Sequence, residues 1–271
     1  MFELKSRHYI VTGAAGLLGL QHCRAILLNK GLPVLLDVSK EKIKQTVESL
    51  YREFEIEVPN FVCDITSEDD LMAVKNSLMD RKINIFGLIN NATINPAMGK
   101  TNELKDFTRI ENFDLKQWDL EIGVGLTGSM LCTKHFSELL TSNNVPGVIL
   151  NISSDLGLIA PNQNLYKQDD LPEYQQPVKP VTYSVIKTGL IGLTRYLATY
   201  YNGKIRSNAI CPGGVENNQS QEFISKIESL IPLGRMADKK DFMGLLVFLL
   251  SDESSYINGA VIPIDGGRTA W

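Results

Sequence analysis

Tyr183 and Lys187 lie four residues apart in the run Tyr183-Ser184-Val185-Ile186-Lys187. Positions i and i+4 share one face of a helix, so a hydroxyl and an ammonium can serve one site. A lysine beside a tyrosine favours the phenolate and could make the phenol a proton donor and acceptor near neutrality. A serine pair, Ser153-Ser154, ends an apolar segment upstream. Near the N-terminus, Thr12-Gly13-Ala14-Ala15-Gly16-Leu17-Leu18-Gly19 follows a short apolar run and opens a helical pattern. Small residues there let the backbone approach a pyrophosphate, and a helix N-terminus favours anions. Together these residues read as hydride transfer with a dinucleotide.

The elements that must position them alternate along the chain. Apolar runs at 9–11, 34–36, 61–63, 85–89, 147–152, 206–211 and 260–264 read as buried strands. Helical patterns span 17–30, 40–54, 68–79, 116–140, 181–201 and 238–250. Strand–helix alternation from end to end predicts an α/β fold: one doubly wound parallel sheet of the Rossmann type, with helices on both faces. A loop fills 93–114, and 161–180, with its four prolines, reads as a surface excursion. No linker divides the chain, so 1–271 reads as one domain.

Asp37 ends the second strand, where a carboxylate would bond the adenosine ribose hydroxyls and repel a 2′-phosphate. Neither Val38 nor Ala15 supplies a compensating cation, so NAD is expected over NADP. Bulk properties exclude other classes. The net charge is -4 with no run of basic residues, which argues against nucleic acid and anionic membranes. No apolar stretch approaches the ~20 residues of a membrane span. Four scattered cysteines and three isolated histidines have no metal-ligand spacing, so no metal is expected. Reduced thiols and an N-terminus without a signal-peptide profile point to the cytoplasm.

The motifs in order resemble the short-chain dehydrogenase/reductase family over essentially the whole chain. They are the turn at 12–19, Asp64 after strand three, Asn90-Asn91-Ala92 after strand four, and Asn151-Ile152-Ser153-Ser154. Tyr183-x-x-x-Lys187, Cys211-Pro212-Gly213-Gly214 and Asp265-Gly266-Gly267 follow. The resemblance implies a sheet of about seven strands, Tyr183 as acid/base, Ser154 rather than Ser153 orienting the substrate oxygen, and Lys187 holding the nicotinamide ribose and lowering the tyrosine pKa. It implies cofactor contacts from Gly13, Gly16, Leu17, Leu18, Gly19, Asp37, Asp64, Ile65, Asn91, Ala92, Pro212, Gly213 and Val215. It also implies a substrate lid at 215–235 and a homodimer or homotetramer. Ile224, Ile227 and Leu230 recur at helical spacing and are expected to pack that lid down.

Three departures qualify the likeness. The glycine spacing puts Leu17 at the usual middle-glycine position, as in the longer, epimerase-like branch, which keeps open an epimerase or dehydratase with tightly bound NAD. Gly125 stands where the family has an Asn that holds a relay water; extra water there, or a relay that runs another way, is expected, and a non-catalytic NAD-binding sensor or scaffold stays open. Ser154 and Tyr183 are 29 positions apart, and the additional residues at 161–180 are polar and proline-rich. A polar mouth suits a sugar or sugar derivative better than an apolar chain, though the stretch would serve equally as a structural lid or subunit contact. With the ending Asp265 to Trp271, these departures resemble a bacterial subgroup associated with surface-glycan and nonulosonate sugar modification.

Overall fold

Every residue of Gly147–Ile152 and of Ile205–Pro212 is buried. Strands covered on both faces need a helix layer on each side, which parallel crossovers deliver. The computed structural model describes residues 2–94, 108–169 and 171–271. Its strands are β1 His8–Thr12, β2 Leu32–Asp37, β3 Asn60–Val62, β4 Ile85–Asn90, β5 Gly147–Ile152, β6 Ile205–Pro212 and β7 Val261–Ile264. They form one parallel sheet in the order β3-β2-β1-β4-β5-β6-β7. The helices are α1 Leu17–Leu28, α2 Lys40–Phe54, α3 Glu68–Asp80, α4 Leu115–Ile122, α5 Gly128–Thr141, α6 Val181–Tyr200, α7 Gln221–Glu228 and α8 Met243–Leu250.

Alternation along the strands divides the core in two. Tyr9, Val11 and Leu35 face one layer with Ile26 of α1, Leu50 of α2 and Leu246 of α8. Ile10, Val34 and Leu36 face the other with Leu71 of α3, Phe136 of α5 and Leu197 of α6. The chain leaves β1 towards β2 on one side and β4 on the other, which opens a crevice at the strands' C-terminal ends.

Two helices differ from expectation. The span expected as one helix over 116–140 is interrupted at Gly123–Thr127 by a wide π-helical turn. Glycines there admit close neighbours: a Cβ on Gly125 would lie 2.7 Å from Ile186 Cγ2, and one on Gly128 2.7 Å from Ile65 Cδ1. The helix expected from 238 begins only at Met243, because the Asp241 carboxylate accepts from the Asp238 N–H and pairs with Arg235 at 2.6 Å. Those bonds fold the segment into a turn. The loop expected at 93–114 lies largely outside the described residues, as does Asp170. Among the described residues no helix is long and apolar enough to cross a membrane. All four cysteines are free and buried.

Candidate active site

The crevice is a cleft of about 750 Å³ at the C-terminal ends of the strands. One end is built by the turn between β1 and α1. Gly13 has φ +60, and a Cβ there would sit 2.9 Å from Ala92 Cα, so the turn requires a glycine. A Cβ on Gly19 would come within 2.8 Å of Ala14 Cα; Gly19 packs helix against strand instead of lining the cleft. Gly16 caps α1 with no side-chain hydrogen bond, which leaves the helix N-terminus open to an anion. The turn is strapped from below. Thr12 Oγ1 accepts from the Asn91 and Ala92 N–H groups at 3.0 and 3.1 Å, and Asn91 Nδ2 donates to the carbonyls of Thr12 and Gly13 at 2.9 and 3.1 Å. The Asn91 side chain therefore holds the turn.

Asp37 reaches the same end. Its carboxylate accepts from the Ala15 and Ser39 N–H groups, each at 3.0 Å. Lys42, in the first turn of α2, lines the cleft beside it. Only Val38 and Ala15 are weighed from the sequence as sources of a compensating cation; Lys42 is a further residue that lines this cleft. Asp64 accepts from the N–H and Oγ1 of Thr66 at 2.9 and 2.7 Å, and Ile65 stands beside it on the cleft wall.

The other end gathers the chemistry. Ser153 Oγ donates to the Lys187 carbonyl at 2.7 Å and ties α6 to the end of β5. Ser154 Oγ donates to Asp155 Oδ1 at 2.7 Å, and Ser154 and Tyr183 line the same stretch of the cleft. Lys187 Nζ donates to the Ile152 carbonyl at 2.8 Å, and burial, with the nearby Lys179 cation, brings its pKa down to about 8. Burial pushes the Tyr183 phenol above its usual range; the Ser154 hydroxyl opposes this and the Asp155 charge adds to it. The expected net depression by Lys187 is thus not what the surroundings of Tyr183 produce. Both groups are desolvated, and the Lys187 ammonium stands 5.7 Å from the ring centroid.

Several residues of this end escaped the sequence. Arg268 Nη1 pairs with Asp155 Oδ2 at 2.7 Å, and both side chains are buried. Lys179 Nζ lies 3.9 Å over the Tyr183 ring. Glu121 of α4 is buried, accepting from Gln117 Nε2 at 2.7 Å and from Thr182 Oγ1. A buried chain runs from Asn90 Nδ2 to Asn151 Oδ1 and from Asn151 Nδ2 to Thr194 Oγ1, each 2.8 Å, joining β4, β5 and α6. Gly125 faces no open space: Ile186 fills its surroundings. Of the two expectations, room for extra water is not found at the Cβ position of Gly125, and Leu120 and Val124 line the cleft from this stretch.

Pro212, Gly213 and Val215 border the cleft after β6. A Cβ on Gly213 would meet Asp265 Cα at 2.8 Å. The stretch 161–180 lies against α7: Tyr166 packs on Phe223 with centroids 5.7 Å apart, and Lys226 Nζ donates to the Lys167 carbonyl at 3.3 Å. Leu165, Ile227, Ile231 and Met236 form a small core beneath, with Ile224 and Leu230 packed against it. Of this excursion Tyr166 and Lys179 line the cleft.

A glycine turn on an open helix end, at the switch point of a doubly wound sheet, with a Ser–Tyr–Lys group opposite, defines a dinucleotide-dependent oxidoreductase. A short chain dehydrogenase family model matches residues 7–167, and an Enoyl-(Acyl carrier protein) reductase model matches residues 173–269. The chain belongs to the short-chain dehydrogenase/reductase family, whose members bind nicotinamide cofactors. It is 29% identical over 267 residues to the post-translational flagellin modification protein A of Campylobacter coli, covering 97% of this chain and 98% of that one. It is 31% identical over 268 residues to the short-chain dehydrogenase/reductase aba4 of Botryotinia fuckeliana, covering 95% and 94%. The fold superposes on an NAD+-bound short chain dehydrogenase from Leptospira borgpetersenii with TM-score 0.81, 27% identity and coverage of 98% and 94%.

Proposed function

We propose that this chain is an NAD-dependent dehydrogenase or reductase acting on a secondary alcohol or ketone of a polar substrate, in the class of sugars and sugar derivatives. The observation that carries the reading is that Ser154, Tyr183 and the buried Lys187 converge on the cleft that the glycine turn opens. Gly13, whose cradle a Cβ would fill, and the uncapped end of α1 fit the pyrophosphate of a dinucleotide. Asp37, Asp64 and Ile65 would hold the adenosine half, and Asn91, Ala92, Pro212, Gly213 and Val215 the nicotinamide half. When bound, the nicotinamide supplies the hydride acceptor or donor. Tyr183 Oη takes the alcohol proton in oxidation and returns it in reduction. Ser154 Oγ orients the substrate oxygen, for which it must turn from Asp155. Lys187 holds the ribose and favours the phenolate.

The polar substrate rests on the excursion at 161–180, which carries Tyr166 and Lys179 to the cleft, and on Asp155 and Arg268 behind Ser154. The Campylobacter relative, named for flagellin modification, is in keeping with it. The glycine spacing alone favours an epimerase with retained NAD; cofactor surviving purification without net reduction would point there. A cytoplasmic setting suits four buried free thiols. Exposed Leu115, Leu120 and Met130 on α4 and α5, with the stacked Tyr196 and Tyr200 on α6, suit a homodimer or homotetramer. Light scattering at the mass of one 30.2 kDa chain would refute that part.

The direct test measures NAD reduction over a panel of polyols, sugars and simple secondary alcohols, in the wild type and in Tyr183→Phe. Loss of the acid/base should lower turnover by roughly 10²-fold or more, with NAD binding retained. Equal turnover in the two proteins would overturn the role of Tyr183.

A further inference from the structure

Asp265, Gly266 and Gly267 do not line the cleft, but Arg268, the residue they lead to, does. The turn that carries it is fixed on several sides. The Asp265 carboxylate accepts from the Gly267 and Thr269 N–H groups, each at 2.9 Å. Gly266 and Gly267 have φ +68 and +90, a backbone that glycine adopts without strain. The Leu233 N–H donates to the Gly266 carbonyl at 3.1 Å, which ties the turn to the segment after α7. Arg268 is left 6% exposed.

Its guanidinium is only partly used. Nη1 donates to Asp155 Oδ2 at 2.7 Å, while Nε and Nη2 have no hydrogen-bond acceptor among the described residues. A guanidinium so deep in a protein calls for acceptors, and its planar fork of N–H donors matches a carboxylate or phosphate. Tyr166 lines the same cleft, and its phenol feels the charges of Arg268, Tyr183 and Asp155. Burial pushes its ionisation up to about 12, so it stays an O–H donor. The Asp155 carboxylate is already committed to donors: Oδ1 accepts from Ser154 Oγ and the Leu156 N–H at 2.7 and 2.8 Å, and Oδ2 from Arg268. Its opposite oxygens thus hold Ser154 and Arg268, which keeps the unused donors close to the hydroxyl that orients the substrate oxygen.

Deepening the reading of the cleft as the site of a sugar-like substrate, and resting on it, we propose that Arg268 and Tyr166 recognise an acid group, so that the substrate is a polyhydroxy compound bearing a carboxylate or phosphate. Hydrogen bonds from a guanidinium to an anion are charge-assisted and about twice as strong as neutral ones. Asp155 holds the fork in place, and the remaining N–H groups meet the ligand. The Asp-Gly-Gly ending thereby gains a purpose at the substrate: it aims the side chain that follows it.

The test is isothermal calorimetry on the full chain with NADH bound, titrating D-glucitol, D-gluconate and glucitol 6-phosphate in turn. With the reduced cofactor in place no alcohol is oxidised, so the heat is that of binding, and a wrong assignment of Tyr183 leaves the result standing. Gluconate or the phosphate should bind the wild type at least about tenfold tighter than glucitol; which of the two binds tighter tells carboxylate from phosphate. Arg268→Lys, which keeps a charge for Asp155 but loses the fork, should lower that preference by roughly threefold or more. Tyr166→Phe, which keeps the ring on Phe223, should lower it as well and serves alone if the lysine variant does not fold, as judged by circular dichroism. A merely structural role would weaken all three probes alike. Equal affinities in the wild type overturn the proposal, as does the absence of binding by both acids or a variant that lowers the three affinities in parallel. Oxidation of neutral polyols alongside such a result would leave the wider reading of the site intact.

Discussion

At the scale of single residues, Gly125 has the plainest consequence. Ile186 occupies the space a side chain would need, with 2.7 Å between its Cγ2 and a Cβ placed on Gly125. Restoring the family's usual residue by Gly125→Asn should therefore lower stability by about 1–3 kcal/mol, the usual cost of overpacking. Thermal unfolding would record it, and Ile186→Ala in the same chain should recover part of the loss. If Gly125→Asn melts with the wild type, the neighbours yield more easily than their packing implies. The proposed preference for NAD is tested at a second pair of residues, Asp37 and Lys42. Asp37→Ala should weaken NAD binding and shift the ratio of NAD to NADP use towards NADP by at least about tenfold, since removing the carboxylate leaves Lys42 to meet a 2′-phosphate. Asp37→Ala together with Lys42→Ala should lose that gain. An unchanged ratio in Asp37→Ala would mean that other residues select the cofactor. That Tyr183, Lys187, Ser154 and Asp37 share one cleft was legible because their positions are set locally: one helical turn, one strand end. Lys42 was not, because its approach depends on how α2 leaves Ser39.

At the scale of elements, the segment after β7 returns to the end of β5. Arg268 and Asp155 pair at 2.7 Å with both side chains buried, and Asp155 also accepts from the Leu156 N–H and from Ser154. Breaking such a pair leaves a charge without its partner. Arg268→Ala should cost ~3–5 kcal/mol, and Asp155→Asn added to it should cost less than the two changes summed. Denaturant unfolding measures both; strict additivity would mean that the two side chains do not act as a unit. The ion pair spans 113 positions, and no local spacing announces it. The same holds for Glu121 with Thr182 and for the Asn90–Asn151–Thr194 chain. The order of the strands, by contrast, was readable throughout, since alternation of buried runs is a local property. The break at Gly123–Thr127 was not, because it follows from where Ile65 and Ile186 arrive from other parts of the fold.

At the scale of the whole molecule, His22 couples folding to acidity. It is buried in α1, where burial holds its pKa down to about 4 from an ordinary 6.5, the Asn91 side chain working the other way. Between pH 6.5 and 4 the unfolded chain binds a proton that the folded chain refuses, so stability falls as pH falls through that window and levels off below it. The shift corresponds to something on the order of 3 kcal/mol. Urea unfolding of the wild type and of His22→Leu at pH 7 and pH 4.5 should give a smaller loss on acidification in the variant. Equal losses would place the acid sensitivity elsewhere.

The widened turn at Gly123–Thr127 also affects how this chain can be compared or redesigned. A π-type turn absorbs one additional residue without breaking the rod, so side chains on its far side are rotated by about a third of a circle from where an unbroken helix would carry them. Substitutions borrowed from a relative by counting along an unbroken helix would land out of phase from Gly128 onwards. A graft into α5 should instead be aligned on what each side chain touches, starting from the contact between Gly128 and Ile65.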